Sequence, residues 1–224
     1  MGLANVVLKG RSVCLEPLER RHINGLASAA AADTSLYQWS PVPKTSAETA
    51  TYVEAAIAGQ EAGSALPFAI IRLSDGAVVG STRFFNFDQW AWPEGHPLHR
   101  RPTPDGCEIG YTWFTASAIR TAANTESKLL MLTFAFEVWK VFRVCLHTDV
   151  RNQRSRAAIE RIGGKFEGIL RAHRLAADFT PRDSARFSIV ASEWPEVKVH
   201  LDRLLTSRIG HPDSARTGGI EAGL

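Results

Sequence analysis

The chain is poor in cysteine: Cys14, Cys107 and Cys145 are the full set, and no two stand in a Cys-x-x-Cys spacing. Each lies in an apolar segment, where a free thiol behaves as a small hydrophobe, so all three read as reduced core residues. No apolar run is long enough to cross a bilayer. Residues 1–10 lack the apolar centre and cleavage site of a signal peptide, which makes the cytoplasm the expected compartment. Charge of one sign is scarce as well. The 26 Lys and Arg against 23 Asp and Glu leave a net charge of +3 with no long basic run, which argues against a nucleic-acid partner. There is no Gly-x-x-x-x-Gly-Lys-Ser/Thr and no Gly-x-Gly-x-x-Gly after a strand, so the common nucleotide-binding signatures are missing. His96 and His99 are near one another, but no third ligand has matching spacing, and no metal is expected.

What is present is enough apolar residue, 45% of the chain, for one sizeable core. Residues 13–18 alternate as a strand and 20–32 follow as a helix. Ser40-Pro41-Val42-Pro43 is a loop, because two prolines remove donors and disfavour helix. Ser46, Glu48 and Thr49 open a helix over 47–62. Residues 68–72 and 78–85 are strands joined across Ser74-Asp75-Gly76. Residues 88–105 form a long loop with Trp90, Trp92, two histidines and four prolines. A loop of that length in a compact domain is functional or disordered, so Trp90 and Trp92 are candidates for a substrate-facing flap; plain cover for apolar surface is the alternative. A strand over 107–114, a helix over 125–140 and a strand over 141–150 come next. A short helix then runs from Asn152 or Gln153 to the stop Gly163-Gly164. Residues 165–175 and 186–192 make a final strand pair with 179–183 between them, and 194–206 a last helix. Residues 207–224 read as a flexible tail. This order predicts one α+β domain over 10–205: a mixed sheet with helices on both faces.

Residues 106–164 are the most informative stretch. They set two helix starts side by side, at 117–125 and at Asn152–Ser155, where backbone N–H groups can face a phosphorylated ligand. The arginines at 151, 154, 156 and 161 could serve the same ligand or make a solvated helix face. Five pieces occur in order: Leu15-Glu16-Pro17-Leu18, Glu108-Ile109-Gly110-Tyr111, Asn124-Thr125-Glu126, Asp149 to Ser155, and Phe166-Glu167-Gly168 with Leu170-Arg171. With these pieces the chain resembles the GNAT acetyltransferases, and most of all the branch of the ribosomal-protein N-terminal acetyltransferases. The resemblance implies a mostly antiparallel sheet of about seven strands and acetyl-CoA as co-substrate. It also implies a pantetheine arm along Tyr111, Thr112, Trp113 and Phe114. The pyrophosphate is expected on the turn that carries Arg120, Thr121, Asn124 and Thr125. Asn152 matches a residue that contacts the arm. Ser155 matches a position that contacts it too, and that in some members protonates the leaving thiolate. The usual Gln/Arg-x-x-Gly-x-Gly/Ala is absent: Ile119, Ala122 and Asn124 stand at its defining positions. Ile159 stands where many members have a tyrosine.

The implied activity is transfer of an acetyl group to a primary amine by direct attack in a ternary complex. A protein or peptide N-terminus or a small amine is the expected acceptor. An antibiotic, a polyamine or a lysine side chain is the alternative, and a silent acyl-CoA-binding regulator is the rival outside enzymes. Glu108 matches the carboxylate many relatives use as base, often through a water; binding the substrate ammonium is the alternative. His173, expected on the strand facing the same cleft, has an intrinsic pKa suited to proton transfer, and a purely structural histidine is the alternative. Asp183 could bind a cationic acceptor or simply sit in a turn. A homodimer is left open.

Overall fold

The computed structural model describes residues 6–176 and 179–209. Its elements are β1 (Leu8–Lys9), β2 (Val13–Pro17), α1 (Ile23–Ala31), α2 (Ser46–Glu61), β3 (Ala65–Arg72), β4 (Val78–Asp88), β5 (Gly106–Phe114), α3 (Ala123–Thr133), β6 (Arg143–Asp149), α4 (Gln153–Arg161), β7 (Lys165–Leu175), β8 (Pro181–Val190) and α5 (Trp194–Ile209). The eight strands form one sheet in the order β1-β2-β3-β4-β5-β6-β8-β7. All neighbours run antiparallel except β5 and β6.

The period-2 alternation of the strands feeds two cores. Phe68 and Ile70 of β3 point to one side and join Phe84, Ile109, Val144 and Leu146 with the α3 and α5 side chains Met131, Leu132 and Leu201. Ala69, on the opposite face, joins Leu26, Val53 and Ala56 of α1 and α2. Helices therefore cover both faces, as the sequence predicts.

Four details differ from the sequence reading. Thr45, not Ser46, caps α2: its hydroxyl accepts from Glu48 N–H at 3.1 Å. The helix expected to continue to residue 140 changes winding at Phe134, and a π segment runs over Phe134–Trp139. That winding brings residues five apart onto one face. Phe134 and Trp139 then meet at 4.8 Å and both pack on Phe84. Residues 181–183, read as a connection, are already inside β8. α5 continues to Ile209, and the rest of the expected tail, 210–224, lies outside the described residues.

One irregularity positions the site. β5 and β6 pair only at Gly106, Cys107 and Glu108. Past Glu108 the two parallel strands part, and the β6-facing edge of β5 loses its partner. Across β5, Ser81 pairs with Trp113 but Arg83 pairs with Gly110, so β5 carries one extra residue there. This bulge is centred on Tyr111, whose φ is 50°. Bulges bend a strand and sharpen its twist, which holds the cleft open.

Candidate active site

A cavity of about 510 Å³ fills the gap between β5 and β6. One end is walled by the starts of α3 and α4, the other by the sheet face under the loop that joins α1 to α2. Tyr111, Thr112, Trp113, Phe114, Arg120, Thr121, Asn124, Asn152 and Ser155 all line it, so the structure gathers nearly the whole expected acetyl-CoA set in one place. Thr125 is not among them: it is fully buried behind the lining, and its hydroxyl accepts from Arg161 at 3.0 Å.

The phosphate turn solves its lack of glycine in two ways. Arg120 adopts a left-handed φ of 63°, which glycine takes at no steric cost and other residues take at about 1 kcal/mol. Thr121 then accepts from Ala123 N–H at 3.2 Å and donates to Ala118 at 2.7 Å, which pins the start of α3. At the second helix, Asn152 caps α4 by accepting from Ser155 N–H at 3.0 Å. Arg120, Arg154 and Arg161 line this end, so two helix starts and three cations meet there. That set fits the pyrophosphate of acetyl-CoA. Arg120→Gly is expected to leave the melting temperature nearly unchanged, since relief of the left-handed strain offsets the added chain freedom. The KM for acetyl-CoA should rise roughly tenfold, the worth of one charge-assisted hydrogen bond. Steady-state kinetics beside a thermal melt check both.

At the apex of the splay stands Glu108, only 3% exposed. Its Oε2 accepts from Asn86 Nδ2 at 2.9 Å and from Arg174 Nη2 at 2.9 Å. Its Oε1 lies 2.9 Å from His147 Nδ1, close enough for an ion pair but outside hydrogen-bond alignment. Burial alone would raise the Glu108 pKa. The His147 imidazole, with Arg174 and Asn86, outweighs burial and holds it below its ordinary value, so Glu108 is a carboxylate at neutral pH. The His173 ring is 5.0 Å from that of His147. Burial, with Arg174 and His147 nearby, lowers the His173 pKa, so it is neutral at pH 7.

Three residues at this cavity carry chemistry the sequence reading passed over. His147 follows the apolar run Val144-Cys145-Leu146 of β6. Alternation is its signal: Val144 and Leu146 face one core, so His147 shares a face with Glu108 across the parallel pair. Lys128 lies on the buried side of α3, and its Nζ donates to Thr112 Oγ1 at 2.7 Å. Burial lowers its pKa to about 7. Trp39, on the loop between α1 and α2, lines the cavity and lies 4.3 Å beneath the Arg151 guanidinium.

Trp90 and Trp92 are not at the cavity, contrary to the expected flap. Trp90 stacks on Phe142 at 5.1 Å, and Trp92 donates to Asp105 at 3.0 Å while stacking on His96. Buried Asp105 takes the Trp90 N–H as well, so the long loop is fixed against the far end of β6. Trp92→Ala is expected to lower stability by about 2 kcal/mol through lost packing, with both KM values unchanged, as a thermal melt and kinetics would show. Asp183 is also outside the lining. Its carboxylate accepts from Ala172 N–H at 2.8 Å and fastens the irregular pairing of β7 and β8. Ile159 is buried in the lining where a tyrosine was absent by sequence.

Comparison with known proteins agrees with this geometry. The pattern of the Acetyltransferase (GNAT) domain matches residues 12–165. YdaF of Bacillus subtilis (strain 168), provisionally named a ribosomal N-acetyltransferase, is 32% identical over 126 residues; the match spans 54% of this chain and 58% of that protein. The crystal structure of a GCN5-related N-acetyltransferase from Brucella melitensis superposes with a TM-score of 0.76 at 28% identity, over 92% of this chain and 87% of that one. Mycobacterium smegmatis RimJ, solved with CoA-disulfide, shares the fold at 23% identity and a TM-score of 0.70, over 91% and 93% of the two chains. Since the domain pattern spans well over half of the sequence and its hallmark splay is present between β5 and β6, the chain belongs to the GNAT acetyltransferase family.

Proposed function

We propose that the protein transfers the acetyl group of acetyl-CoA to a primary amine by direct attack in a ternary complex. The observation that carries this reading is the Glu108–His147 pair at the apex of the splay, one residue before the free edge of β5 begins. Acetyl-CoA supplies the activated acyl carbon. The free N–H groups of β5 are placed to steady the oxyanion. The acceptor comes from the face under Trp39 and Tyr52, and its ammonium proton passes to the Glu108–His147 pair. Ser155 stands in the lining as the hydroxyl available to the departing thiolate. The similarity to YdaF, a protein named for ribosomal N-acetylation, supports a protein or peptide N-terminus among acceptors. Thiol release from acetyl-CoA across a panel of amines tests the reading. Turnover with one amine class is expected; calorimetric binding of acetyl-CoA with no turnover of any amine would leave only a silent binder.

A further inference from the structure

Arg83 is the one basic residue of β4, where it follows Ser81 and Thr82 and precedes Phe84 and Phe85. It is 8% exposed, on the central strand β4, and its cross-strand partner is Gly110 beside the β5 bulge. Its contacts are unusual for a buried cation. The guanidinium lies 4.1 Å from the Tyr111 ring centroid and 5.1 Å from that of Tyr52. Among the described residues no carboxylate pairs with it, and its Nε has no hydrogen-bond partner. A buried charge without a counter-ion is destabilising, and stacking on two rings returns only a part of the lost hydration. Such a cost persists where a ligand supplies the missing charge. Both rings line the cavity while Arg83 itself stands behind them, outside the lining; Tyr111, which covers the guanidinium, is 45% exposed and held on the bulge, so a shift of that ring opens the cation to the cavity.

Position adds a direction. Arg83 and Phe85 are two residues apart on β4 and face the same side, and Phe85 pairs with Glu108. Arg83 is therefore one pleat, about 7 Å, from the level of Glu108. Arg174 and Arg182 lie opposite one another on β7 and β8, and both line the same cavity. Arg174 is paired with Glu108, while Arg182 has a buried Nε without a partner. The acceptor end thus holds more cation than its carboxylates neutralise. A polyamine would be repelled there.

We infer that Arg83 is the anion receptor of the acceptor site, and that the acceptor is an amine carrying a carboxylate group within about one strand pleat of the nitrogen. The inference rests on the acetyltransferase reading for the position of the amine, and on the buried guanidinium alone for the anion. A free α-amino acid and a peptide with Asp or Glu at its first or second position both have this chemistry.

The test uses matched pairs on the CoA-loaded protein. Amino acids are compared with their carboxamides, and acidic N-terminal peptides with their Asn or Gln counterparts, by calorimetry and by thiol release from acetyl-CoA. The expected result is at least tenfold tighter binding of one anionic series over its neutral partner, seen in KM rather than kcat; the series that shows it identifies the source. Arg83→Gln should bring that ratio to near one, Arg83→Lys should retain part of it, and the melting temperature of Arg83→Gln should hold or rise. Equal binding of charged and neutral partners, no binding of either, or a preference that survives in a folded Arg83→Gln protein overturns the inference. Anion-selective binding without turnover would instead refute acetyl transfer and keep the receptor.

Discussion

Glu108→Gln is expected to lower kcat/KM by about 10²- to 10⁴-fold, the usual worth of a positioned general base. Acetyl-CoA affinity should be unaffected, because the phosphate end of the cavity is built from other elements. The substitution keeps shape and removes charge. In the wild type both carboxylate oxygens are occupied, one by Asn86 and Arg174 and one facing His147. An amide in that place offers its NH₂ group to donors. It leaves Arg174 unpaired and deprives the imidazole of the anion that would stabilise it when protonated. His147→Ala should cost a similar factor, and the double variant little more, since two members of one relay are not additive. The pH profile separates this role from a structural one. The carboxylate is held below its ordinary pKa, so Glu108 itself stays ionised from neutral pH down through mild acid. A limb of kcat/KM that rises with pH then reports the acceptor's own ionisation and not that of Glu108. In the Gln variant that limb should stay where it is, at a lower plateau. A variant that keeps wild-type kcat/KM across that range would remove the pair from the chemistry.

Local signals made most of the fold legible. Alternation at β2, the turn at Asp75-Gly76 and the Gly163-Gly164 stop each matched the observed element closely. What escaped depends on contacts distant in sequence. The π segment exists because Phe134 and Trp139 must both reach Phe84, fifty residues and more away. The two residues of β1 take their conformation from β2. At the cavity, residues near the helix starts were readable because caps and cations carry position-specific signals. Arg83, Lys128 and His147 were not, since nothing in their local sequence tells which residues of other elements they face. The misplaced residues show the converse. Aromatic content alone pointed to Trp90 and Trp92, yet buried Asp105 decides where those rings lie.

Glu126→Gln is expected to destabilise the protein by about 3 kcal/mol, which in a domain of this size lowers the melting temperature by roughly 6–12 °C. Glu126 belongs to the Asn124-Thr125-Glu126 piece, yet its carboxylate turns away from the cavity. It accepts from the backbone N–H groups of Arg11, Ser12 and Val13 at 2.7, 2.8 and 2.9 Å, and from the Ser12 hydroxyl at 2.5 Å. One side chain thus ties the first turn of α3 to the turn between β1 and β2. A Gln in its place has one accepting oxygen and sets an NH₂ group against N–H donors. Burial would raise the Glu126 pKa, but these four donors outweigh it and lower it. A depressed carboxylate stabilises the fold above its unfolded pKa, near 4.5, and that contribution disappears as pH falls through the folded value. The gap between wild type and Glu126→Gln should therefore be full at pH 7 and narrow steadily below about pH 4.5. Gly10→Ala offers a second probe of the same joint, because an added Cβ would lie 2.5 Å from Glu126 Cδ. If Glu126→Gln melts with the wild type at pH 7, the tie is incidental and the start of α3 is held by Thr121 and packing alone. If it melts early but rebinds acetyl-CoA normally at low temperature, the carboxylate supports the site only by keeping α3 in place.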